Sequence, residues 1–228
     1  MRFFQRKKRP VIVTIHGFGQ RLHTEFNPLA NYLKKEKYEV IQFDIYDITN
    51  PQDTNEKEWI ARCEQEMQKV CSQSNPVILI GFSMGGVIAS YLATIFPVQQ
   101  LILVAPAFEY LNAQKIINQG IKVVKNMTSS PTKSNSKPSN EQVQTFMSIV
   151  SNYKESITQV SVPTLILHGT DDEVIPISSS KNASKKMSNP HQLILFEGGK
   201  HRMLYDNTIQ EQIFPIILCM IEGRLFHE

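Results

Sequence analysis

No stretch of the 228 residues approaches the ~18 consecutive apolar residues that a membrane-crossing helix requires, so no stable membrane insertion is expected. Cysteine is scarce. Cys63, Cys71 and Cys219 make an odd number, and none stands in C-x-x-C spacing. That argues against a disulfide framework and against a zinc site, and no cofactor or metal is expected. The first residues hold no apolar segment of the kind that directs secretion: Phe3 and Phe4 run straight into Gln5, Arg6, Lys7, Lys8 and Arg9. A reducing cytoplasm is the expected home. The excess of positive charge is small, +3, and much of it sits in that basic cluster. No aromatic-interleaved basic surface accompanies it, so it reads as a solvated tail, with no nucleic-acid partner.

What is present is an ordinary globular composition, 41% hydrophobic and 20% charged. At this length a chain buries roughly 70% or more of its unfolded surface and needs no staples. Short β-branched and aliphatic runs recur: residues 11–15, 38–43, 77–80, 101–104, 164–167 and 193–196. Between several of them lie stretches with apolar residues at helical spacing, notably residues 25–36, 56–71 and 84–96. A last helix is expected over 205–221, with a kink or break at Pro215. Strands alternating with helices predict a doubly wound, mostly parallel sheet of about six strands. One interval breaks the rhythm. Residues 106–162 are far too many for a ~2–6-residue loop of such folds. They contain helical stretches near 113–125 and 141–153, around a polar, low-complexity run from Thr128 to Asn140. This predicts a core of residues 1–105 and 163–228 with a helical cap, 106–162, over the end of the sheet.

The chemistry-bearing residues gather at strand ends. Gly81-Phe82-Ser83-Met84-Gly85 matches G-x-S-x-G, following a strand and opening a helix. A serine on so tight a turn is pushed out above the sheet, and flanking glycines are needed because a Cβ would not fit. His16-Gly17-Phe18-Gly19 closes the first strand. The sheet order places it beside the serine, where the backbone N–H groups of Phe18 and Met84 can form an oxyanion hole. His16 itself reads as a support for that loop. After the fifth strand come Asp171 and Asp172, either of which can supply the acid of a triad in the chain order Ser, Asp, His. Gly198-Gly199-Lys200-His201 follows the sixth strand, and its histidine is the base best placed to reach Ser83.

These motifs together resemble the α/β-hydrolase superfamily, in particular small bacterial carboxylesterases and monoacylglycerol-lipase-like enzymes. The resemblance implies an H-G-x-x-D-x-x-V-P acid motif, which starts at His168-Gly169, ends at Ile175-Pro176 and lays its aspartate on Asp172. It also implies a cap inserted after the fourth strand. Two departures stand out. At most one strand fits before Val11, where relatives begin with a hairpin. Asp44-Ile45-Tyr46-Asp47-Ile48 stands where relatives carry D-x-x-G-H-G, so a different pocket wall is expected. The implied activity is carboxylic-ester hydrolysis on a small ester of short or medium acyl length, through Ser83, His201 and Asp172. A thioesterase, amidase or acyltransferase would use the same triad, and a binding protein of this fold would use none of it.

Overall fold

The structure, a computed structural model, describes residues 8–73, 75–109 and 137–226. Six strands form one sheet: β1 (Val11–Ile15), β2 (Glu39–Gln42), β3 (Val77–Phe82), β4 (Gln100–Val104), β5 (Thr164–Gly169) and β6 (His191–Phe196). Their order is β2-β1-β3-β4-β5-β6, and every pairing is parallel. The reversal of order between β1 and β3 puts the carboxyl ends of these two central strands side by side, the place where open α/β sheets carry ligands.

Alternation along the strands separates two apolar layers. Val13, Leu79, Leu103 and Ile166 face α2 (Glu56–Cys71), α3 (Met84–Ile95), α4 (Asn140–Tyr153) and the inner side of α5 (Ile177–Lys186). Ile12, Ile78, Ile102 and Leu165 face α1 (Asn27–Lys35) and α6 (Asn207–Ile221). Strands β1, β3 and β4 are buried along their whole length, which is why they read as continuous aliphatic runs.

The helices differ from expectation in three ways. The stretch 25–36 is a 3₁₀ turn, Leu22–Phe26, followed by α1, because Pro28 suits the first turn of an α-helix but not its interior. Pro215 does not break α6. Both Pro215 and Glu211, whose carbonyl loses its partner to the proline, face solvent, so water can take the missing bond. Helix α5 has no apolar periodicity to announce it. Its buried face is Ser179, Ser180 and Ala183, small residues that let it lie close to β5 and β6.

Within 106–162, the predicted helix near 113–125 and most of the polar run lie outside the described residues. The second helix is α4, capped by a reciprocal pair in which Gln142 N–H donates to Ser139 Oγ and Ser139 N–H donates to Gln142 Oε1. The Gln142 amide also donates to the carbonyls of Asp47 and Asn50, tying α4 to the loop after β2. Ile149 and Val150 of α4 are fully buried against the core. Among the described residues no helix is long and apolar enough to cross a membrane.

Candidate active site

Ser83 occupies the turn between β3 and α3 with φ +54° and ψ −119°, a conformation that costs a non-glycine residue about 1–3 kcal/mol. The surroundings impose it. A Cβ on Gly81 would lie 2.4 Å from the carbonyl oxygen of Gly85, and a Cβ on Gly85 would lie 2.0 Å from that of Ile15. Both glycines are therefore required by close backbone approach. Ser83 N–H donates to Val104 O, while Ser83 O accepts from Gly86 N–H and Ala107 N–H, so the turn is pinned on both sides. The hydroxyl ends up at the amino terminus of α3, where the helix dipole favours negative charge.

The His16–Gly19 loop presses against this turn. A Cβ on Gly17 would come within 3.0 Å of Ser83 Cβ. Among the described residues neither Phe18 N–H nor Met84 N–H has a protein acceptor. His16 is wholly buried. Its Nε2 accepts from Ile45 N–H at 2.9 Å and its Nδ1–H donates to Gly17 O at 2.7 Å. Burial holds its pKa down at about 4, so the ring is a neutral strut. Tyr46 adds a clamp that the sequence did not reveal: Gly19 N–H donates to Tyr46 Oη and Tyr46 O–H donates to Gly19 O, both at 2.9 Å. Tyr46 stacks on Trp59 at 4.2 Å and on Phe18 at 5.6 Å, and Phe18 stacks on Phe146 of α4 at 5.1 Å. The departure at 44–48 thus supplies the wall behind the loop. Only its position at the end of β2 could have signalled this.

The loops after β5 and β6 meet on the other side. A Cβ on Gly169 would lie 2.0 Å from Gly199 O, so the ends of β5 and β6 are in backbone contact. Asp172 Oδ2 accepts from His201 Nδ1–H at 2.8 Å, with both side chains sealed from solvent. Asp172 Oδ1 accepts from Val174 N–H and Ile175 N–H, each at 2.8 Å. Burial raises the carboxyl's pKa, but the two histidines and these bonds outweigh it and hold the group well below the usual carboxylate range. Asp171 is exposed and turned away: its N–H donates to Gly199 O and its carboxylate accepts from Thr170 Oγ1. Because Nδ1 of His201 carries the proton, Nε2 is the lone-pair nitrogen. It is buried without a partner among the described residues, and the ring lies 4.8 Å from that of Phe82, next to Ser83. His168 also faces Asp172 Oδ2, at 3.3 Å, a contact that the sequence did not suggest.

The α/β hydrolase family model matches residues 12–133, and a second, described as serine aminopeptidase S33, matches residues 111–208. The chain belongs to the α/β hydrolase family. A Mycoplasma genitalium protein named esterase/lipase 2 is 30% identical over 111 residues, which is 46% of this chain and 40% of that protein. The chain matches its curated relatives over only 26% to 40% of their length. Among solved structures, the monoacylglycerol lipase of Paleococcus ferrophilus has a TM-score of 0.74 at 15% identity, covering 95% of this chain and 96% of that one. A soluble variant of the Saccharomyces cerevisiae monoglyceride lipase, in complex with a substrate analogue, has a TM-score of 0.75 at 17% identity, covering 98% and 90%. At such identities the likeness is one of fold.

Proposed function

We propose that this chain is a serine esterase, with Ser83 as nucleophile, His201 as general base and then acid, and Asp172 as the group that orients the imidazole. The observation that carries this reading is the 2.8 Å bond from His201 Nδ1–H to a depressed, desolvated carboxylate, with the free Nε2 turned to the same end of the sheet as a strained serine. In the reaction, Ser83 Oγ attacks the acyl carbonyl and its proton passes to His201 Nε2. The oxyanion is received by Phe18 N–H and Met84 N–H. His201 then protonates the leaving alcohol, and water reverses the steps on the acyl-enzyme. Residues 106–162 act as the cap over this site. Phe146 supports that role, because α4 brings it onto Phe18, the oxyanion residue. An apolar acyl chain of short or medium length is the expected substrate class. A fluorophosphonate should label Ser83 and no other serine, as read by mass spectrometry, and Ser83→Ala should lose on the order of 10⁶ in kcat on p-nitrophenyl esters. An adduct elsewhere overturns the assignment.

The match of residues 111–208 to the serine aminopeptidase model favours a second reading, amide hydrolysis by the same groups. Aminoacyl p-nitroanilides compared with p-nitrophenyl esters separate the two.

A further inference from the structure

We propose that His168 is a positioning residue of this site, one that fixes the Asp172 carboxylate against which His201 is held. The proposal rests on the esterase reading and deepens it. His168 is the penultimate residue of β5, and its side chain is completely buried. Nε2 lies 3.1 Å from the carbonyl oxygen of Ile175 and 3.3 Å from Asp172 Oδ2. Both of these atoms only accept, so Nε2 carries a proton. Nδ1 lies 2.7 Å from the Ser180 hydroxyl, which holds that side of the ring.

The consequence falls on Asp172. A carboxylate offers about four acceptor positions. Two, on Oδ1, are filled by Val174 N–H and Ile175 N–H. Oδ2 faces His201 Nδ1–H and, from another direction, the His168 N–H. The His168 hydrogen bond to Ile175 O closes the same turn that supplies two of those donors. Any rotation of the carboxylate would break contacts on both oxygens. Ser180, in α5, holds the far side of the imidazole, so the helix without a periodic signature anchors the acid. An apolar side chain at 168 would fill the space without desolvating an imidazole, but it would leave Ile175 O without this donor and Oδ2 with one contact fewer.

The test uses the full-length protein with p-nitrophenyl esters, together with the low-field proton resonance of His201 Nδ1–H assigned with ¹⁵N-labelled histidine. His168→Leu should lower kcat by on the order of 10–100-fold, the usual cost of removing a group that orients another. KM should stay unchanged, and the low-field resonance should move or broaden. His168→Gln, which keeps an N–H donor, should recover most of the kcat and the resonance. Should the leucine variant fail to fold, His168→Asn, too short to bring a donor to Oδ2, takes its place with the same expectations. Wild-type kcat with an unmoved resonance in the leucine or asparagine variant overturns the proposal, and so do equal losses in that variant and His168→Gln. If the wild type itself neither hydrolyses esters nor takes a phosphonate, the parent reading has failed. An active wild type with an unaffected leucine or asparagine variant removes this inference alone.

Discussion

The turn after β3 that carries Ser83 and the turn after β5 that carries Asp172 stand two strands apart and are held by different means. At Ser83 the constraint is backbone against backbone. Gly81 and Gly85 leave no room for a methyl group, and the serine's own N–H and C=O are tied to Val104, Gly86 and Ala107. At Asp172 the constraint is electrostatic and made by side chains: two imidazoles and two N–H groups converge on one buried carboxylate. Backbone-held geometry fails all at once when an atom is added. Charge-held geometry degrades by degrees as donors are removed, with the fold left standing. The two turns should therefore respond to substitution in different currencies, stability at the first and rate at the second.

The largest effect tests the acid turn. Asp172→Asn keeps the volume and should leave the protein folded, and it should lower kcat by about 10⁴, because an amide in that place favours the wrong imidazole tautomer. Asp171→Asn should change kcat little, since its exposed side chain accepts from Thr170 Oγ1 and carries no bond to His201 among the described residues. If Asp171→Asn is the crippled variant, the acid has been misassigned. At the nucleophile turn, Gly85→Ala should instead cost about 3 kcal/mol of stability, the upper end for overpacking, because the new methyl meets the Ile15 and His16 carbonyls. Denaturant titration reads this directly. An alanine variant as stable as wild type would mean the turn can relax, and the contrast would collapse.

A pH titration sharpens the same comparison. In the unfolded chain His16 takes up a proton as pH falls through its ordinary 6.5, whereas in the fold it resists down to about 4. Between those values the unfolded chain binds more protons. The contribution of His16 is thus complete above pH 6.5 and is lost progressively towards pH 4, by about 3 kcal/mol. Asp172, with its pKa depressed, contributes in full above the ordinary carboxylate range, and that contribution is lost only as pH falls below that range. His16→Gln should flatten the stability curve between pH 6.5 and 4 and leave the more acidic limb as it is. An unchanged slope in that window would remove the buried neutral strut from the account.

How much could be read beforehand follows from these two kinds of constraint. The glycine pattern about Ser83 is local, so the sequence places that turn to the residue, and the strands, each an aliphatic run of its own, come out close to their observed limits. Helix α5 escaped because small polar residues carry its buried face. Tyr46 and His168 escaped because their partners, Gly19 and Ser180, meet them only through the fold. Asp171 and Asp172 were indistinguishable as residues. The family motif implied Asp172, and the proposed role of that residue rests on its buried bond to His201.

The smallest expected effect lies where a side chain intrudes on the backbone-held half of the site. Phe146 of α4 is only partly buried and stacks on Phe18, whereas Ile149, one turn on, is completely buried in the core. The two positions look alike in sequence and differ in what they touch. Ile149→Ala should cost 2–5 kcal/mol of stability by opening a cavity, with the ranking of ester chain lengths intact. Phe146→Ala gives up an aromatic pair of about 0.5–1.5 kcal/mol and uncovers the His16–Gly19 loop on the side of α4. It should alter relative kcat/KM among acyl lengths by about tenfold or less, because 1.4 kcal/mol is one factor of ten. Labelling of Ser83 by a phosphonate should survive in both variants. A panel of p-nitrophenyl esters from acetate to octanoate, measured beside thermal unfolding, separates the outcomes. If Phe146→Ala loses stability as Ile149→Ala does and keeps the wild-type ranking, α4 is a core helix at both positions, and selection of the acyl chain must be sought elsewhere.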